Sequence, residues 1–187
     1  QTLAKTKGPF PAYSKSLWKK KGVKPLRNAT LTTIAPTGTI SLIAGASAGI
    51  EPLFSYAYIR NILDGRQFKE VHPALMDAVK DRPDRDSVIE QALSQGSLQN
   101  TSLNADLKRI LLTARDIPPE SHVIMQAHFQ RHSDAAVSKT INLPQDASVK
   151  DVERAFLLAH NLKCKGITVY RDRSRPQQAM ALIDCPD

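Results

Sequence analysis

Apolar positions along this chain recur at two different periods, and the switches between them mark its elements. Residues 30–34 read Thr-Leu-Thr-Thr-Ile, a β-branched run that predicts a strand, and Pro36 removes a ladder donor and stops it. Residues 54–59, Phe-Ser-Tyr-Ala-Tyr-Ile, predict a second strand after the Gly49-Ile50-Glu51-Pro52 loop. Residues 69–115 read as helical pieces broken at Pro83 and around Gly96, with Leu107, Ile110 and Leu111 on one apolar face. A longer helix is expected from about Pro118 to Ala136. Ahead of all this, residues 1–27 form an arm. Gly8-Pro9-Phe10-Pro11 breaks structure there, and residues 13–21 predict a short helix ending at Gly22.

The C-terminal end carries a β-α-β pattern. Residues 138–143 predict a strand stopped by Pro144, and Ser148 with Asp151 forms a capping-box pattern. Val149, Val152, Ala155, Phe156, Ala159 and Leu162 then recur at helical spacing. Lys163 and Lys165 suit the negative end of that helix, and Gly166 is positioned to end it before a strand at 167–170. Two parallel strands joined by a right-handed crossover follow from this order, and the fold class is α/β. The expected organisation is a basic arm at 1–27, a partial α/β barrel with an anion-binding turn at 28–175, and a tail at 176–187.

Between the first strand and its following apolar run lies Ala35-Pro36-Thr37-Gly38-Thr39-Ile40-Ser41. If a helix begins near Thr39, its unpaired first-turn N–H groups and the hydroxyls of Thr37, Thr39 and Ser41 converge on one point. Such a point favours a phosphate or carboxylate, and Gly38 lets the backbone approach it. The plainer reading is that Thr39 or Ser41 caps a helix. The segment is not a Walker loop, and Gly38, Gly45 and Gly49 do not have dinucleotide-fingerprint spacing.

Composition narrows the classes. With 187 residues, 41% apolar, the chain can build one ordinary domain with a core. It has no apolar run of about 18 residues and no signal-peptide pattern, so no membrane association and a cytoplasmic location are expected. Cys164 and Cys185 form neither a zinc nor a dithiol motif. The net charge of +8 and pI near 9.6 invite a nucleic-acid reading. The basic residues, however, gather in the N-terminal arm and in a C-terminal run that includes Arg171, Arg173 and Arg175, with few aromatics among them. An acidic partner surface accounts for the excess as well. His128 and His132 stand four apart without the acidic residue of a His-Glu-x-x-His pattern, which favours a solvated helix face over a metal site. Cys164 lies beside two lysines that would lower its thiol pKa, although a structural thiol is the simpler expectation.

The turn has matching company: Arg27-Asn28-Ala29-Thr30 before it and Ser47-Ala48-Gly49-Ile50-Glu51-Pro52 behind. Further blocks are His122-Val123-Ile124-Met125-Gln126-Ala127-His128-Phe129-Gln130, Val137-Ser138-Lys139-Thr140-Ile141-Asn142-Leu143-Pro144 and Lys165-Gly166-Ile167-Thr168-Val169-Tyr170-Arg171-Asp172. In this order, from about Arg27 to Arg175, the chain resembles the C-terminal part of the adenosylcobalamin (vitamin B12)-dependent, class II ribonucleotide reductases.

The resemblance implies the C-terminal part of a ten-stranded α/β barrel. It also implies a role in reducing ribonucleoside diphosphates to deoxyribonucleotides, with Thr37, Gly38, Thr39, Ile40 and Ser41 holding the substrate phosphates. The family's Asn-x-Cys-x-Glu radical loop, most of the cobalamin site and the reducing cysteine pair belong upstream. The implied partners are therefore an upstream catalytic half, in the same polypeptide or a separate chain, and a dithiol reductant such as thioredoxin. A barrel fragment has open strand edges, so a homodimer in isolation is a substitute for that half. The alternative is a non-catalytic phosphate-binding or interaction module that retains the scaffold. Within the resemblance, Glu51 fixes its loop by hydrogen bonds. Tyr170 has no relay role in a cobalamin enzyme, Cys185 has no assigned role, and Arg173 replaces an expected glycine.

Overall fold

In the computed structural model, residues 1–61, 67–172, 174 and 180–181 are described. The arm contains α1 (Thr2–Lys7), a 3-10 turn (Tyr13–Lys15) and α2 (Leu17–Lys20). The single helix expected at 13–21 is split because Ser16 is extended, and its hydroxyl caps α2 by accepting from the Lys19 N–H. Tyr13 is buried beneath the arm and its hydroxyl donates to Val23 O at 2.5 Å. The Trp18 indole donates to Ala29 O, tying α2 to the segment that follows.

That segment is extended without being a regular strand. Residues 30–34 make one parallel bridge, Ile34 to Val137, rather than the strand expected from their β-branched side chains. Hydroxyls and a carboxylate substitute for ladder bonds: Thr33 Oγ1 donates to Ala136 O, and Asp134 Oδ2 accepts from the Leu31 N–H. α3 (Gly38–Ala44) follows and ends at Gly45, whose φ of 62° closes it in the left-handed region.

β1 (Ala57–Asn61) starts three residues later than expected, because the Ser55 hydroxyl bonds both N–H and C=O of Ala57 and folds residues 54–56 out of the ladder. It pairs antiparallel with β2 (Gln67–Val71), whose charged Lys69 and Glu70 conceal it in a helical reading. α4 (Pro73–Val79) and α5 (Arg85–Gln95) cover this hairpin, separated near Pro83 as expected, and α5 closes at Gly96. α6 (Ala105–Ile110) stops just where the third residue of its expected apolar face falls. Leu107 and Leu111 pack on the core while Ile110 points to solvent. Leu75, Val79, Val88, Leu93 and Leu98 are the centre of this first core.

α7 (Pro119–Gln130) ends six residues before the expected boundary, since Gln130 Nε2 donates to Ser133 O and Ala135 O and turns the chain toward Thr32. β3 (Thr140–Leu143), α8 (Val149–Asn161) and β4 (Thr168–Arg171) form the expected β-α-β unit, with β3 and β4 parallel. The Ser148–Asp151 capping box is present. α8 buries Ala155 and Ala159 against Val123 and Ile141, whereas Val149 and Phe156, expected on its inner stripe, face outward. Lys163, at φ 64°, and not Gly166, turns the chain out of α8. A short β5 (Met180–Ala181) pairs antiparallel with β1. Among the described residues the strands form a three-stranded and a two-stranded sheet, which do not close into a barrel.

Candidate functional site

α3 begins at the turn singled out in the sequence. Thr37 is its N-cap, with φ −131° and ψ 33°, and the first helical hydrogen bond runs from the Ser41 N–H to Thr37 O at 2.8 Å. The N–H groups of Gly38, Thr39 and Ile40 precede that bond and have no acceptor among the described residues. All three residues are exposed, as an anion site requires. Thr37 makes no side-chain cap bond. The Ser41 hydroxyl is half spent: it donates to Gly38 O at 2.7 Å and the residue is buried. Gly38 has no positive φ, and a Cβ built on it would meet nothing within 4 Å. Neither backbone conformation nor packing within the described residues calls for glycine there.

Behind the turn lies a buried polar cluster. Val137, Lys139, Ile141 and Leu143 all point inward at strand alternation, so Lys139 enters the core with only 1% of its side chain exposed. Its ammonium donates to Glu51 Oε2 at 2.5 Å, His122 Nδ1 at 2.9 Å and Thr140 O at 3.1 Å, which uses its three donors. Glu51 Oε1 accepts from the Thr140 N–H at 2.5 Å. Glu51 thus fixes its loop by hydrogen bonds, and does so through an ion pair. With Nδ1 accepting, His122 carries its proton on Nε2 and donates to Ala114 O at 3.2 Å. Burial, and after it the charge of Lys139, holds the His122 pKa below its ordinary value.

A cavity of roughly 380 Å³ opens at the C-terminal ends of β3 and β4, between Phe54 and the start of α7. Asn142, Tyr170, Pro118 and Arg115 contribute to its wall. Arg115 lies 5.3 Å over the Phe54 ring and pairs with Asp172 at 3.0 Å, which braces the rim. Ends of parallel strands are where α/β folds receive ligands. Residues 37–41 do not line this cavity.

The remaining candidates separate from both places. His128 and His132 are exposed, and among the described residues no group of three potential ligands gathers for a metal. Cys164 is partly buried against the second core, and that burial raises its thiol pKa; the lowering by its neighbouring lysines is not realised. Arg173, Arg175 and Cys185 lie outside the described residues. Sequence reasoning gave Lys139 and His122 no role. The signal was available for Lys139, a cation at inward parity in a β-branched run.

Known proteins resemble this chain over most of its length. Residues 17–170 match the family described as "Ribonucleotide reductase, barrel domain". A vitamin B12-dependent ribonucleoside-diphosphate reductase of Thermoplasma acidophilum is 46% identical over 181 residues, covering 96% of this chain and 23% of the relative. One of Mycobacterium tuberculosis is 45% identical over 181 residues, covering 96% and 26%. A vitamin B12-dependent ribonucleotide reductase of Streptomyces avermitilis is 27% identical over 164 residues, covering 83% and 17%. The chain spans about a quarter or less of the length of these relatives.

Proposed function

The chain belongs to the ribonucleotide reductase barrel-domain family, and from that premise we propose that it is a segment of a vitamin B12-dependent ribonucleoside-diphosphate reductase. It supplies the C-terminal strands of the barrel and the turn that holds the substrate phosphates, and it is not active alone. The observation that carries this reading is the start of α3, where three N–H groups without acceptors among the described residues surround an open glycine. Backbone N–H groups and the Thr39 hydroxyl there match the oxygens of a diphosphate. Thr37 and Ser41 flank them, but the Ser41 hydroxyl gives its one proton to Gly38 O and so has none to donate to a phosphate oxygen.

In this reading the segment's contribution is positioning. Fixing the diphosphate fixes the ribose relative to a radical delivered from outside the segment, and a fixed geometry lowers the barrier without any proton moving through residues 37–41. The relatives' names give vitamin B12 as the cofactor, and its adenosylcobalamin form, which the family resemblance implies, would supply that radical when bound. The described residues do not fit it: the cavity of roughly 380 Å³ lies near the lower end of small-molecule sites, about 300–1,000 Å³, too small to enclose a corrin. Among the described residues no cluster of three potential metal ligands gathers either. In this reading most of its binding site lies outside this segment.

The test is Thr39→Val in the full-length reductase that carries this segment. Loss of a hydrogen bond to a charged group is worth about 1.5–3 kcal/mol, so kcat/KM for the ribonucleoside diphosphate falls by an order of magnitude or more. Unchanged kcat/KM removes the phosphate role and favours a scaffold retained for binding a partner.

A further inference from the structure

We propose that Lys139 and Glu51, seated on His122, are the positioning pair that sets the phosphate turn in register with the barrel wall. This inference rests on the phosphate reading above. α3 has little packing of its own: Ser41 is its one buried residue, and Ile43 is 83% exposed. Its placement therefore depends on the chain entering and leaving it. Both flanks are tied to the same short stretch, residues 137–140.

On the entering side, Ile34 bridges Val137 and its carbonyl accepts from the Ser138 N–H at 2.8 Å. On the leaving side, Glu51 grips Lys139 with one carboxylate oxygen and the Thr140 N–H with the other. The two flanks also touch each other. Gly49, at φ 59°, lies so close to the entering strand that an added Cβ would stand 3.4 Å from Ile34 Cγ2 and 3.6 Å from Ala35 O. Turn and helix thus form a loop whose two ends close on one point, and Lys139 is the charge at that point.

Lys139 has no donor to spare for a ligand, since its three bonds go to Glu51, His122 and Thr140. Its effect on substrate is exerted through Glu51. An apolar pair of similar volume would fill the same space, but it would not fix the loop along one direction. Two carboxylate oxygens held at hydrogen-bond distance do. His122 orients the ammonium from the opposite side, with its own ring locked by Ala114 O.

The experiment compares Glu51→Gln and the double variant Lys139→Met/Glu51→Gln with the parent in the full-length reductase. Glu51→Gln retains an oxygen for the Thr140 N–H, removes the charge and sets an amide NH2 donor against the Lys139 ammonium. The double variant leaves no buried ammonium uncompensated, so it decides the matter if the single one does not fold. The readouts are KM for a ribonucleoside diphosphate, KM for the dithiol reductant, and the melting temperature. The expected result is a KM for the nucleotide raised about ten-fold with the dithiol KM unchanged, since small misplacement of a bound group costs this much or more. A nucleotide KM at the parent value in a folded variant overturns the proposal. So does a joint rise of both KM values with a fallen melting temperature, or failure of both variants to fold, each of which assigns the pair to stability alone. Thr39→Val measured alongside separates the two claims. If it too leaves the nucleotide kinetics unchanged, the phosphate reading has failed; if it alone changes them, only the positioning role has.

Discussion

Lys139 is buried among Val137, Ile141 and Leu143, and the fold tolerates it because each of its donors ends on an acceptor. That arrangement fixes the protonation of His122. The ring must accept at Nδ1, so it is neutral in the folded chain, and burial together with Lys139 keeps its pKa below the ordinary 6.5. As pH falls through 6.5 the unfolded chain takes up the proton first. The contribution of His122 to stability is therefore complete above pH 6.5 and declines below it, until the folded ring also protonates. We expect the His122 ring signals to titrate with a midpoint below 6.5, measured by NMR on the folded protein; a midpoint at or above 6.5 contradicts the assigned cluster. At this scale the types and order of Thr37, Gly38 and Thr39 made them candidates in the sequence, and their role rests on the proposal above. The sequence was quiet about His122, because the partner that gives it meaning is 17 residues away in sequence.

Elements were legible where the buried stripe is apolar and obscure where it is polar. α8 illustrates the first case: its cap, its length and its two flanking strands follow from Ser148, Asp151 and a regular apolar recurrence. Ser148 accepts from the Asp151 N–H while the Asp151 carboxylate accepts from the Ser148 N–H. Ser148→Ala should thus cost about 1 kcal/mol, read as a shift in the urea midpoint with an unchanged slope. No shift would mean that the crossover helix is held by packing alone. α7 illustrates the second case. It buries His122, Gln126 and Gln130 at four-residue spacing beside Val123 and Ala127, and turns Ile124, Met125 and Phe129 toward solvent, so its inner face is part polar and part apolar. The polar part of that face meets backbone: Gln126 donates to Val137 O and Gly166 O, joining the chain ahead of β3 to that ahead of β4. The hairpin strand β2 was missed for a related reason, since two of its five residues, Lys69 and Glu70, are charged and its partner, not its pattern, makes it a strand.

For the whole molecule, the sequence disclosed the family through several blocks in fixed order, while composition alone pointed only to an ordinary basic domain. The sheets do not close into a barrel, and apolar side chains on α3, α7 and α8 remain exposed, among them Ile40, Ile43, Phe129 and Phe156. The chain spans about a quarter of the length of its relatives, and in the proposed reading such a face packs against the rest of the enzyme. Among the described residues no helix is long and apolar enough to cross a membrane. The central claim is that this chain completes a reductase whose radical chemistry resides elsewhere. Ribonucleoside diphosphate reduction, with adenosylcobalamin and a dithiol, should be measured for this chain alone, for the remainder of the enzyme alone, and for the two mixed. Activity in the mixture only is the predicted result. Turnover by either part alone, or none from a mixture shown to form a complex, would contradict it.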